Sequence, residues 1–116
     1  LRSVSAVLVV EIDNPAAQLT LSEIEGVIFH SGKVFGRVTL DPFILKARSL
    51  ETYSLHAVLT LDKGVSLLDL MSLLKSNVIE ECTVNLQVKA SLKGGASKRM
   101  KIEDLPLKEL YELVRQ

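Results

Sequence analysis

The side chains of this 116-residue chain that could carry out metal or acid–base chemistry are few and scattered along it. The two histidines, His30 and His56, have no neighbours at the spacing of metal ligands. A zinc or copper site needs three or four converging ligands. We therefore expect no metal and no cofactor, and we interpret both histidines as partly exposed strand residues.

The single cysteine, Cys82, could act as a nucleophile with a histidine from elsewhere in the chain, but only as a thiolate. Its neighbours Glu80 and Glu81 are acidic and disfavour the thiolate. We interpret Cys82 as a buried structural thiol. A lone cysteine forms no internal disulfide, so the fold must be stable without one in any compartment.

Carboxylates and glycines offer two further kinds of site. Glu23 and Glu25 would share one face of a strand, either as a general acid and base or on a solvated face, which we favour. The segment 94–98 lacks the spacing of a phosphate-binding loop and joins two predicted strands. These patterns predict a protein that is not an enzyme.

The basic run of Lys98, Arg99 and Lys101 is the charge cluster that stands out. It could contact phosphates or anionic lipid headgroups. Alternatively, it belongs to an edge hairpin whose lysines discourage pairing between sheets, which we favour.

The composition is that of one globular domain, residues 1–116. Hydrophobic residues make up 47% of the chain and charged residues 24%, and the formal net charge is zero. A neutral chain with 4% aromatic residues and no Trp is not typical of nucleic-acid binding. We expect an unidentified protein or lipid partner, and no nucleic acid.

The elements that would position these side chains are mostly strands with period-two alternation. The first, Val4 to Ile12, carries apolar residues in both phases, so we expect both of its faces to be covered in the middle. Asn14 and Pro15 end it in a turn. The apolar phase changes at Ser22-Glu23, which predicts a bulge.

Glycines mark two further features. Gly26, inside a strand, predicts close backbone approach, and Gly32 lies in a hairpin turn between strands. Asp41-Pro42 predicts another break. Further alternating segments begin near residues 34, 43, 53, 84 and 98.

Two segments have helical spacing. Ser66 is predicted to cap a helix over Val65–Lys75 with Asp69 as its capping-box partner, and the helix should be buried around most of its circumference. We favour its packing as a lid on one end of the sandwich. Alternatively, it contacts a partner or lies on a membrane. A second helix is predicted at the C-terminus, with Asp104 and Pro106 at its start.

About seven short strands with one inserted helix and one C-terminal helix predict a mainly β protein. The strand spacing favours an antiparallel β-sandwich of immunoglobulin or fibronectin type.

The order of these motifs resembles the late-embryogenesis-abundant type 2 family, also called the water-stress and hypersensitive-response domain. The apolar strand over 7–15 ends in Glu-Ile-Asp-Asn-Pro, as in that family, although Ala16-Ala17 departs from the polar residue that often follows. Its Leu-x-Leu, apolar-x-Gly-x-apolar and glycine-turn pattern is matched by Leu19, Leu21, Ile24, Gly26, Ile28, Gly32, Gly36 and Leu40.

The resemblance implies an immunoglobulin-type sandwich, no catalytic residues, and a protective or binding role in desiccation and stress. Small bacterial members of this family are often exported lipoproteins. Because the chain begins at Leu1 and not at Met, we interpret its start as trimmed. We then expect a cell-envelope or periplasmic protein, lipid-anchored through a segment upstream of Leu1, with a cytoplasmic location as the alternative.

Overall fold

A computed structural model describes residues 3–73 and 75–107 of the chain. In order, the elements are strands β1 (Ser3–Asn14), β2 (Leu19–His30), β3 (Lys33–Leu40), β4 (Phe43–Leu45) and β5 (Ser49–Leu61), helices α1 (Leu67–Leu73) and α2 (Ser76–Ile79), and strands β6 (Cys82–Leu92) and β7 (Ser97–Pro106). The prediction of a mainly β protein with about seven strands is confirmed.

All seven strands belong to one open antiparallel sheet in the order β1-β5-β3-β2-β6-β7, with β4 pairing the start of β2. The strands β1 and β7 therefore lie at the two ends of this order and are edge strands. Asp41 and Pro42 separate β3 from β4, as predicted, because proline cannot donate to the ladder.

The core lies on one face of the sheet, beneath the two short helices. Its most buried side chains are Cys82 and Val84, each 1% exposed. Around them pack Ile28, Phe35, Leu61 and Leu73. The alternation in β5 is confirmed, since Leu55, Ala57 and Leu61 are all buried.

The first strand is confirmed, but its predicted cover on both faces is wrong. Val7 is 62% exposed and Val9 is 55% exposed. Among the described strands, β1 pairs with β5 alone, and nothing described covers its outer face. Apolar residues in both phases therefore signalled an exposed edge strand here, not a central one.

The end of β1 is fixed by the side chain of Asn14, which is 7% exposed. Its Nδ2 donates hydrogen bonds to the carbonyls of Ala17 and Lys46, each 3.0 Å long. Its Oδ1 accepts one from the N–H of Ala16 at 3.1 Å. Pro15 follows outside the strand, so both residues shape a turn as predicted.

The predicted bulge in β2 is confirmed. The pairing between β2 and β6 shifts register between Ser22 and Glu25, and Glu23 has φ of 49°. Gly26 is closely approached, but by side chains and not by the backbone that was predicted, since a Cβ there would lie 2.9 Å from Cγ1 of Val38. Gly32, with φ of 79°, lies in the turn between β2 and β3.

The start of α1 is confirmed and its predicted burial is wrong. The N–H of Asp69 donates to Oγ of Ser66 (3.2 Å), and the N–H of Ser66 donates to Oδ2 of Asp69 (2.7 Å). The helix ends at Leu73, and a separate turn of helix, α2, follows. Of its apolar residues only Leu70 and Leu73 pack on the core, because so short a helix presents one narrow side to the sheet.

The predicted start of the C-terminal helix is too early, since Asp104 and Pro106 belong to β7 and the first helical residue is Leu107. Pro106 pairs with Thr83, and the N–H of Asp104 donates to Oδ1 of Asn85 at 2.9 Å. The ladder offered by β6 outweighs the local helix signals. Residues 108–116 of that predicted helix lie outside the described part of the chain.

Candidate functional site

A cleft of about 630 Å³ opens between the β2–β3 turn, the loop before α1, and α1 itself. Its apolar lining comes from Val34 and Phe35 on β3 and from Val65, Leu73 and Val78. Its polar lining comes from His30, Lys33, Asp62, Lys63, Asp69 and Ser72. Both signs of charge therefore surround an apolar interior.

The outward side of α1 is also apolar. Leu67 is 41% exposed, Leu68 is 74% exposed and Met71 is 65% exposed. Because residues three and four apart are neighbours on a helix, Met71 lies beside both leucines. We call these three residues the α1 patch. The cap between Ser66 and Asp69 fixes the start of the helix and hence the direction of the patch.

Two titratable side chains that line the cleft, His30 and Asp69, are held in a pair and in a helix cap. Nε2 of His30 lies 3.0 Å from Oε2 of Glu81. The backbone N–H and the hydroxyl of Ser66 both donate to Asp69, which holds the pKa of that carboxyl below its usual value. A carboxylate that caps a helix is committed to the ionised form, so Asp69 is unsuited to be a general acid.

The register between β2 and β6 places His30 directly opposite Cys82. Strand alternation alone gave no sign of this pairing, since register between distant segments is a tertiary property. The Sγ of Cys82 donates to the carbonyl of Val78 at 3.5 Å. Burial, and secondarily the charge of Glu81, raises the pKa of the Cys82 thiol. The pair therefore lacks the thiolate that a nucleophile requires.

The two glutamates of β2 have different surroundings. Glu23 sits at the bulge, where its carboxylate lies 2.7 Å from Arg99 and 3.8 Å from Lys89, while Glu25 is exposed. A hydrogen bond from Arg99, followed by the charges of Arg99 and Lys89, lowers the pKa of Glu23. Glu23 is thus an ion-pair partner.

The basic residues of β7 do not converge on one surface. Lys98 pairs with Ala90 and Arg99 with Lys89, so successive side chains point to opposite faces of the sheet. Lys101 shares its face with Arg99, which is bound to Glu23. Contact of Lys98, Arg99 and Lys101 with an anion or lipid stays a prediction, while their position on an edge strand agrees with the alternative interpretation.

His56, on β5, lies away from the cleft, and its Nδ1 is 3.5 Å from Oδ2 of Asp41. Within residues 3–73 and 75–107, no group of three or more His, Cys, Asp or Glu side chains is arranged to hold a metal ion. None of the described helices has the length and apolar character needed to cross a bilayer.

Comparison with models of known protein families, with curated proteins and with solved structures finds no match for this chain. The resemblance to the late-embryogenesis-abundant type 2 family therefore stays a prediction from the motifs. Among the described residues, the cleft and the α1 patch are the surfaces that bear on function.

Proposed function

We propose that this domain is a non-enzymatic interaction module that binds a partner protein through the α1 patch. The observation that carries the proposal is the exposure of Leu67, Leu68 and Met71 together on one short helix. Single exposed apolar residues are ordinary, but a contiguous group with a polar surround is typical of a binding surface.

The charges around the patch favour a protein over an anionic membrane. A helix that lies in a membrane surface is rich in Lys and Arg on its polar face. The helix α1 has no basic residue and carries Asp69. Lys63 and Asp62 on the cleft rim add charges of both signs. We therefore expect the partner to offer apolar side chains surrounded by charges of both signs.

The non-enzymatic part of the proposal is supported by the state of the reactive side chains. Cys82 is buried with a raised pKa, and His30 is engaged by Glu81. Glu23 is held ionised by Arg99. The raised pKa of Cys82 and the lowered pKa of Glu23 are each displaced away from the values that nucleophilic and general acid chemistry would need.

The resemblance to the late-embryogenesis-abundant type 2 family supports a further part of the proposal. We propose that the module serves a stress-protective or cell-envelope role, and that its sheet folds as an immunoglobulin-type sandwich. The turn at Asn14 and Pro15, placed as in that family, favours it. The gene sequence upstream of Leu1 tests the location: a signal peptide with a lipobox cysteine supports it, and an uninterrupted cytoplasmic domain contradicts it.

Site-specific photo-crosslinking tests the α1 patch. A photoreactive amino acid replaces Leu68, and in a matched control it replaces Leu50, which is 63% exposed on β5 far along the chain from α1. We expect one protein to be crosslinked from position 68 and not from position 50, in cells that express the chain. Equal crosslinking from both positions, or crosslinking from position 68 to lipid alone, would contradict the proposal.

The crosslinked protein is then purified and its affinity measured. We expect the double substitution Leu68→Ser with Met71→Ser to weaken binding by at least about tenfold, because hot spots lie in the desolvated centre of an interface. The control Leu50→Ser should leave the affinity unchanged. Because both patch residues are exposed, the free energy of unfolding should change by less than about 0.5 kcal/mol.

A further inference from the structure

The edge strand β1 has the composition of a strand that pairs with another strand. From Ser3 to Val10 it has no charged residue, no proline and no glycine. It pairs with β5 over its whole length without a register shift, and its other side has no partner within the described residues. A long, uncharged edge of this kind is a template for a further strand.

About Leu8, the core-side row of β1 is apolar in both directions, while the outer row is symmetric only at Val7 and Val9. The outer row has two serines, two valines and then two acidic residues. The core-side row is apolar throughout. The outer row is Ser3, Ser5, Val7, Val9, Glu11 and Asp13, and the core-side row is Val4, Ala6, Leu8, Val10 and Ile12.

We infer that β1 pairs with β1 of a second copy of this chain, antiparallel, about a two-fold axis at Leu8. A two-fold axis through a sheet keeps each row on its own face, so residues of the same row face one another. The exposed Val7 then lies opposite Val9 of the second copy, and the exposed Val9 lies opposite Val7 of the second copy. The edge valines thus cover each other.

The charges agree with this register. Glu11 lies opposite Ser5 of the second copy, and Asp13 lies opposite Ser3, so each carboxylate faces a hydroxyl that can donate to it. No two like charges lie directly opposite, which would weaken the pairing. A register centred on Val9 would instead place Glu11 opposite Val7, so that its carboxylate would face an apolar side chain and not a hydroxyl.

The contact is small, with one strand from each copy. We expect a dissociation constant on the order of 10 to 100 μM. The surface is distinct from the α1 patch, so partner binding and self-association can succeed or fail separately.

Sedimentation equilibrium from about 5 μM to 1 mM tests the pairing. We expect a reversible monomer–dimer equilibrium. Val7→Lys with Val9→Lys should weaken it by at least about tenfold, because lysines would then face lysines across the axis. The control Leu50→Lys is matched, since Leu50 is 63% exposed and Val7 is 62% exposed, yet Leu50 lies on β5 and not on β1. Thermal melts check that all variants fold.

The register is tested by cysteine crosslinking. Directly opposite residues have Cα atoms about 4.5–5.5 Å apart, within the range for a disulfide. A mixture of Val7→Cys and Val9→Cys proteins should form the mixed disulfide dimer, and either protein alone should form much less. The native Cys82 does not interfere, because it is 1% exposed.

Three results would overturn the inference. The first is a monomer at every concentration. The second is a dimer that the Leu50 control weakens as much as the double lysine variant does. The third is a disulfide that forms as readily in the Val7→Cys protein alone, since that result would place the axis at Val7.

Discussion

The two edge strands of the sheet differ in charge and in regularity. The strand β1 is uncharged from Ser3 to Val10 and keeps one register along β5. The strand β7 carries five charged residues and shifts register against β6 between Val84 and Leu86. It also contains Asp104 with φ of 54°, and it ends in Pro106.

These are the devices by which proteins prevent edge strands from pairing with other chains. The edge β7 has three of them, namely charge, a bulge and proline. The edge β1 has none along its first eight residues. Of the two strands at the ends of the sheet, β7 is thus protected and β1 is open, so β1 is the end at which another strand can add.

The largest effect on stability is expected at Asn14, whose side chain ties the end of β1 to two turns. Asn14→Ala removes three hydrogen bonds to the turn segments at Ala16, Ala17 and Lys46. At about 1 kcal/mol each, the free energy of unfolding should fall by roughly 3 kcal/mol. Urea denaturation measures this loss. The exposed neighbour serves as control, since Asp13→Ala should change stability by less than about 0.5 kcal/mol. Equal losses in the two variants would contradict this role for Asn14.

A second prediction removes the protection of β7. The triple substitution of Lys98, Arg99 and Lys101 by Thr removes every charge from the first half of β7, while its bulge and Pro106 remain. We expect self-association to begin at about tenfold lower concentration, measured by light scattering, because charge no longer opposes strand pairing.

The control for this experiment changes the net charge equally away from the edges. It replaces Lys33, Lys63 and Lys93 by Thr, and Lys63 and Lys93 lie outside the strands. If both triple variants associate alike, net charge and not edge protection would be the cause.

The smallest effect concerns the bridge between the β2 bulge and β7. The pKa of Glu23 is lowered chiefly by its hydrogen bond from Arg99. The pKa of Glu23 is lower in the folded protein than in the unfolded chain. The ion pair therefore stabilises the fold fully at pH values above the pKa of the unfolded chain. This stabilisation is lost as the pH falls through the pKa of the folded protein. Carboxyl NMR titration should show a lowered pKa that returns toward normal in Arg99→Gln. An unchanged pKa in that variant would contradict the bridge.

Much of the fold could be predicted from local signals. The Asn14-Pro15 turn and the phase change at Ser22-Glu23 were each predicted and confirmed. A crowded position was also predicted at Gly26, although side chains and not backbone crowd it. These features depend on residues adjacent in the chain, or on the missing Cβ of glycine. The Ser66–Asp69 cap is local in the same sense.

The candidate site was less predictable. The residues of α1 have helical spacing, but only the sheet decides that Leu70 and Leu73 face the core while Leu68 and Met71 face outward. Likewise, the position of His30 opposite Cys82 depends on strand register across a long separation. Neither feature has a signature within a short window of sequence.

Local sequence was enough to specify the β-rich class and the turn at Asn14-Pro15, because these follow from backbone preference and side-chain alternation. The lack of charge from Ser3 to Val10 is likewise a property of the residues alone. The tertiary structure alone decided which strand became an edge. The apolar residues of β1 in both phases suggested a covered strand, and the topology left Val7 and Val9 exposed. Local pattern sets what a strand can bury, while strand order sets what it does bury, and that order arises from contacts distant in the chain.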